Sequence, residues 1–234
     1  MLDIDKDLDF IPKKRNVLLH IKMRNIAKRS SDYKSKSLEI LNYFKKNQKS
    51  ILIPSFTYSF CKSKNINLEN KKSEVGRFSE EIRKIQKKNR TLDPVFSFLN
   101  IDNRLKIKKK FSTNAFDNKS VFKLIHDKNF LIININLKEI VSTQFHKVEF
   151  DNKVPYRYNK IFKGKINGKK ISYTYFVRNR KFSLKRKKIL YQLMKKGVVK
   201  QRKIGSIYLR YFDSKNFSKF LNKKLSKNKF YLVS

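Results

Sequence analysis

Two short apolar runs on either side of a helical pattern constrain this chain most. Residues 17–21, VLLHI, read as a buried strand that ends in a histidine. Residues 34–46, KSKSLEILNYFKK, place Leu38, Leu41 and Phe44 three apart with Ile40 beside them, which is the spacing of a helix face. ILIPSF at 51–56 is a second apolar strand that turns at Pro54. Strand, helix and strand in this order form a βαβ pattern and predict a parallel pair packed under its crossover helix.

The rest of the chain continues in the same idiom. NKKSEVGRFSEEIRKIQ reads as a helix with Ser73 as N-cap, Gly76 in its first turn, and Phe78, Ile82 and Ile85 on one face. RTLDPVFSFLNI is a turn at Asp93-Pro94 that feeds another apolar strand. SVFKLIHDK is a short amphipathic helix, and NFLIININL reads as a strand. Late in the chain, KINGKKISYTYFVRN forms a hairpin around Asn167-Gly168. LKRKKILYQLMKKG is a helix stopped by Gly197. IGSIYLRYFD is a strand, and SKNFSKFLNKKLSKN is a last helix capped by Ser214 or Ser218. There is no internal repeat and no long linker. The expectation is a single α/β domain over residues 1–234, with a mixed central sheet flanked by helices and a late antiparallel portion.

Charge is the loudest compositional feature, with 59 Lys+Arg against 18 Asp+Glu and a formal net charge of +41. One reading is a polyanion partner such as nucleic acid, which would collect the charge on one face with exposed aromatics. The other is codon bias, since Lys, Asn, Ile and Phe abound while Trp is absent. Lysine occurs in nearly every window, with short clusters at 106–110, 185–188 and 222–229, and no long basic arm is present. That layout favours bias, with nonspecific polyanion attraction as its by-product. No apolar run is long enough for a membrane span, and the N-terminus lacks an apolar signal core. One cysteine excludes an intrachain disulfide, and a reducing cytoplasm is the expected location.

Few residues are candidates for chemistry. The histidines are His20, His126 and His146. His20 ends a strand, where open α/β sheets bind ligands. His126 is expected in solvent. FHKVE sets Glu149 one helical turn after His146, the pairing that orients a general base, although the same spacing also describes an ordinary solvated pair. Cys61 is expected to be a small buried residue rather than a nucleophile. No Gly-rich phosphate loop and no metal-ligand pattern is present, so no metal is expected.

Taken in order, these pieces resemble the aminoglycoside 3-N-acetyltransferase family. The chain has VLLHIKMRNIA where the family has VxVHSSL-R-x-IG, and IPSFTYSF where it has VPTFTYSF. KSEVG, RTLDPVFSF, AFDNKSVFKLI, TQFHKVE, VPYRY and the closing IGSIYLRYFD follow in family order. The resemblance runs from about residue 17 to the C-terminus and leaves 1–16 poorly matched.

The resemblance implies an acetyl-CoA-dependent N-acetyltransferase with a small-molecule amine substrate. The RTLDPVFSF form is more like surface-polysaccharide relatives and favours an amino sugar or a similar small amine, with an aminoglycoside-like substrate as the open alternative. It assigns His146 as base, Glu149 as its orienting carboxylate and Thr57 as the hydroxyl near the thioester, all three facing one cleft. His20, Ile21, Lys22, Met23 and Arg24, with Thr57 and Tyr58, correspond to the segment along the cofactor. Tyr58, Glu74, Asp93, Ser97 and Arg157 correspond to positions near the substrate. The chain departs from the family at Ile21-Lys22 in place of Ser-Ser, at IININ without glycine, and at Asp117. A catalytically degenerate member and a basic nucleic-acid-binding protein are the alternative readings.

Overall fold

The computed structural model describes residues 2–27, 32–107, 110 and 112–234. Lys108 and Lys109 of the 106–110 basic cluster lie outside the described residues. The elements run α1 (Ile4–Leu8), β1 (Asn16–Ile21), α2 (Tyr33–Asn47), β2 (Ser50–Pro54), α3 (Phe60–Ser63), β3 (Asn65–Ile66), α4 (Arg77–Ile85), β4 (Phe98–Asn100) and α5 (Val121–Asp127). They continue with β5 (Leu131–Ile135), α6 (Gln144–Asp151), β6 (Arg157–Ile166), β7 (Lys169–Arg178), α7 (Arg186–Lys195), β8 (Lys200–Ile204), β9 (Ile207–Asp213) and α8 (Ser214–Lys227).

A six-stranded sheet in the order β4-β2-β1-β5-β9-β8 forms the centre. Strands β2, β1 and β5 are mutually parallel, whereas β4, β9 and β8 pair antiparallel to their neighbours. The expected βαβ unit is therefore present, within a mixed sheet. A second sheet, β3-β6-β7, is built on the long 157–178 hairpin. Asn167 and Gly168 turn it with φ of 49° and 79°, the left-handed pair that a two-residue hairpin requires.

The three parallel strands are mostly apolar because both faces of the sheet are covered. Val17, Leu19, Ile51, Ile53, Ile133 and Ile135 face a core shared with α1, α2 and α4. Leu18, Leu52, Ile132 and Phe212 face the other core, shared with α5 to α8 and the hairpin. The period-two alternation thus splits each strand between two cores.

Several local expectations are corrected. On α2 the buried positions are Ser37, Ile40, Leu41, Tyr43 and Phe44, while Leu38 is only half-buried. α4 begins after Gly76, which is itself the N-cap at φ 116°, and Ser73 lies outside the helix. Ile85 is 48% exposed because it sits at the fraying end of α4, past the last buried position. Neither Ser214 nor Ser218 caps α8: Asp213 occupies the cap position, and the Ser214 hydroxyl donates to the Ile125 carbonyl at 2.9 Å. Ile204 closes β8, and Gly205 and Ser206 form the turn to β9, a strand pair of which the sequence reading found only the second member.

Candidate active site

Parallel strands carry their carboxyl ends to one edge of a sheet, and ligands bind there in open α/β folds. At that edge lies a cavity of about 140 Å³, walled by Leu19, His20 and Ile21 from β1, Pro54 from β2, and Ser142 and Thr143 from the loop after β5. Phe56, Tyr58 and Val75 close one side, Arg186 stands at the start of α7, and His146 faces in from α6. Cavities that enclose a drug-sized ligand are larger, about 300–1,000 Å³. A substrate of that size therefore extends beyond this one.

Helical spacing puts Glu149 under His146, with His146 Nδ1 and Glu149 Oε2 3.1 Å apart. Arg157, the first residue of β6, joins them. Its Nη2 donates to Glu149 Oε2 at 2.8 Å and lies 2.6 Å from His146 Nδ1, while its Nη1 donates to the Phe176 carbonyl at 2.8 Å. The Glu149 carboxylate is fully buried and the Arg157 side chain is 1% exposed, whereas the His146 ring keeps 19% of its surface open. Phe96 and Phe116 flank the imidazole, with ring centroids 6.4 and 6.0 Å away.

Burial first, then the Arg157 cation, holds His146 below the ordinary imidazole value, against the opposite pull of Glu149. Burial acts to raise Glu149, but its contacts with His146 and Arg157 leave it below the ordinary carboxyl value. At neutral pH the site therefore holds an uncharged imidazole beside an ionised carboxylate. A neutral imidazole can accept a proton from an amine in the tautomer that leaves the cavity-facing nitrogen bare.

The remaining candidates divide clearly. His20 and Ile21 line the cavity, and burial lowers the His20 imidazole to about 4. Tyr58 lines it too, with 41% of its surface exposed. Thr57 does not reach it. The residue is fully buried and its hydroxyl donates to the Pro94 carbonyl at 2.6 Å, so the expected grouping of His146, Glu149 and Thr57 around one cleft does not form.

Lys22 and Arg24 are exposed beyond the strand end, and Met23 is buried in the α2-side core. Glu74 is exposed, and its carboxylate accepts from the Ser59 backbone N–H at 3.0 Å, bracing the 56–59 turn. Asp93 and Ser97 are buried away from the cavity wall. Asp93 accepts from the backbone N–H groups of Val95 and Phe96, at 2.9 and 2.5 Å. The Ser97 hydroxyl donates to the Ser55 carbonyl at 2.6 Å. Both hold the backbone that shapes the FTYSF turn. Cys61 is half-buried and its thiol is pushed up to about 11, mainly by burial, so it is no thiolate at neutral pH.

Sequence reasoning missed several residues. Thr143 lies on the cavity wall three residues before His146, and its buried hydroxyl has no hydrogen-bond partner. Arg186 brings a cation to the cavity. Arg90 is buried and ties Ser97 Oγ to the carbonyls of Ser55, Leu68 and Lys71. Asn134 both donates to and accepts from the Val141 backbone, at 2.9 and 2.8 Å, which fixes the loop carrying Ser142 and Thr143. Asn136 adopts φ 57° and bonds the carbonyls of Lys22 and Arg24. The IININ segment without glycine thus has its own logic: asparagine tolerates the left-handed turn and adds a tether. Asn134 was legible only as a polar residue inside an apolar strand.

The fold is a mixed α/β domain that pairs an imidazole with a buried carboxylate beside a cavity at the sheet edge. The chain belongs to the aminoglycoside 3-N-acetyltransferase family, whose model matches residues 42–226, and it is an N-acetyltransferase. Solved structures agree in fold. The aminoglycoside acetyltransferase AAC(3)-IVa apoenzyme superposes with a TM-score of 0.72 at 15% identity, covering 97% of this chain and 88% of that one. AAC(3)-IIb gives 0.76 at 10% identity, covering 96% of each chain. YokD from Bacillus subtilis gives 0.73 at 15% identity, covering 96% and 98%. No curated protein matches by sequence. Among the described residues no helix is long and apolar enough to cross a membrane, and no group of three or more His, Cys, Asp or Glu side chains is placed to hold a metal ion.

Proposed function

We propose that this chain acts as one catalytic domain that moves an acetyl group from acetyl-CoA to the amine of an amino sugar or an aminoglycoside-like substrate, with His146 as general base. One observation carries this reading: a neutral imidazole on the cavity wall, 3.1 Å from a buried carboxylate. The family supplies the donor, and AAC(3)-IVa has been solved with a gentamicin and with apramycin.

The residues present suit an acetyl thioester. The wall combines apolar Leu19, Ile21, Pro54 and Phe56 with the unpartnered Thr143 hydroxyl and the Arg186 cation. When bound, acetyl-CoA supplies an acyl carbon open to attack by an amine. An ammonium has no lone pair, so a base must first take its proton, and a neutral imidazole is matched to that task near neutral pH. Nδ1 is occupied by Glu149 and Arg157, which leaves Nε2 as the nitrogen for the substrate. Glu149 aims the ring and offsets the charge it gains. The apolar walls keep water from the reacting atoms, and holding amine and acyl group together removes the entropic cost of their encounter.

The basic surface does not favour a nucleic-acid role. Lysines crowd α2, on one face of the central sheet, and α7 and α8, on the other, so the charge is not collected on one face.

The test is calorimetry with acetyl-CoA at moderate salt, then thiol release over a panel of amino sugars and aminoglycosides. Saturable binding that survives salt in wild type and H146A, with transfer lost in H146A, is the expected result. Binding that disappears with salt would sink the proposal, because lysine attraction alone would then account for it.

A further inference from the structure

Three atoms meet at the base of the cavity: His146 Nδ1, Glu149 Oε2 and Arg157 Nη2, separated by 3.1, 2.8 and 2.6 Å. A carboxylate oxygen only accepts, a guanidinium nitrogen only donates, and an imidazole nitrogen does one or the other. Nδ1 therefore cannot donate to Glu149 while it accepts from Arg157. The shorter contact is the one to Arg157. A proton on Nδ1 would be pressed against a guanidinium N–H. We propose that Arg157 is a positioning residue that keeps the His146 imidazole uncharged and decides which ring nitrogen carries its proton. This rests on His146 being the base of the reading above.

The surroundings point the same way. Glu149 on α6 is the sole anionic side chain among the groups described around the ring. Alone it would draw a proton onto Nδ1 and favour the imidazolium, which has no lone pair left to offer. Arg157 on β6 opposes this directly, and Arg178 on β7 adds to it. The hydroxyls of Tyr156 and of Tyr175 on β7 are held protonated, chiefly by burial. From the cavity side come Tyr58 after β2, the neutral His20 of β1 and Arg186 of α7. Arg157 is too buried to meet a substrate, and its Nη1 is anchored on Phe176. The family-based expectation that it binds substrate is replaced here by a role through the base.

In the resting chain the ring proton therefore sits on Nε2 and faces the cavity as a donor. Taking a proton from an amine needs the other tautomer, with Nδ1–H on Glu149 and the Nε2 lone pair exposed. That tautomer requires Nδ1 to exchange its contact with Arg157 for one to Glu149, so Arg157 sets what the exchange costs.

Nitrogen NMR of histidine-labelled, ligand-free protein reads both properties, with H146Q used to assign the signal. Wild type should show a bare Nδ1 and a protonated Nε2. R157M should show the proton on Nδ1 and a titration midpoint at least about one unit higher. The acidic limb of its kcat/KM profile should rise by the same amount, and R157K should restore the low midpoint by charge alone. A protonated Nδ1 in resting wild type, or an unmoved midpoint in R157M, would overturn the proposal. If R157M fails to fold, the wild-type tautomer and the R157K titration decide. If none of the proteins transfers acetyl groups, the proposed function fails while these spectra still answer the question about Arg157.

Discussion

The Tyr173 hydroxyl donates to Asp93 Oδ1 across 2.9 Å, and both residues are buried, so the contact pins the hairpin sheet to the turn that precedes β4. Burial raises the Asp93 carboxyl to about 6 from 3.8, although the N–H groups of Phe96 and Val95 pull it down. Between those values the folded chain holds a proton that the unfolded chain releases. The contribution of Asp93 is therefore most favourable at the acid end and is lost as pH rises through about 6. The loss amounts to about 3 kcal/mol at neutral pH. D93N should remove this dependence, so urea midpoints of wild type and D93N should diverge from pH 4 to 7, with the variant gaining relative to wild type. A constant difference across that range would disprove it.

His20 works in the opposite direction. Burial lowers its imidazole to about 4 from 6.5, so the unfolded chain takes up the proton first. Its contribution is present above about 6.5 and is lost as pH falls towards about 4. In wild type the two slopes largely offset each other. H20Q should remove this loss, so the variant gains stability relative to wild type as the solution is acidified from pH 6.5 to 4. Parallel pH profiles for H20Q and wild type would refute this.

The His146–Glu149 pair should separate turnover from binding. H146A should lower kcat by about 10²- to 10⁴-fold and leave the acetyl-CoA Kd within a few-fold of wild type. E149Q keeps the ring but removes the carboxylate that favours its charged form, so the acidic limb of its rate profile should move to lower pH. Equal losses of affinity and turnover in H146A would show that the ring holds substrate instead.

Thr57 should matter to folding and not to the reaction. T57V removes the hydrogen bond to the buried Pro94 carbonyl and should cost about 1–3 kcal/mol. Its kcat, measured well below the melting temperature, should stay within a few-fold of wild type. A hundredfold loss of kcat in a stable T57V would return Thr57 to the site.

Gly164 marks where β6 passes β3. A Cβ there would lie 1.8 Å from the Lys64 carbonyl oxygen, a backbone atom. G164A should therefore spread β3 from β6 and cost about 1–3 kcal/mol or more. Hydrogen exchange at Lys165, whose N–H bonds that carbonyl at 2.7 Å, should accelerate with it. Unchanged exchange would mean that the strands have room to part.

The sequence by itself determined the βαβ core, the Asn167-Gly168 hairpin and the pairing of His146 with Glu149. Each of these depends on contacts a few residues apart or on a periodicity that burial imposes. Apolar runs covered on both faces, a left-handed turn dipeptide and an i,i+3 pair are legible because the backbone geometry that reads them is local. Tertiary structure alone decided which hydroxyl stands at the cavity. Thr57 and Thr143 are both buried threonines, but the Thr57 hydroxyl is claimed by the carbonyl of Pro94, 37 positions away in the chain, and that of Thr143 by none. It decided too that Arg157 folds back onto the carboxylate and the ring, and that Asn134 fastens the cavity loop. A polar side chain buried at low dielectric goes to whichever partner the packing brings within reach, and that partner is set by the crossing of strands and not by spacing along the chain.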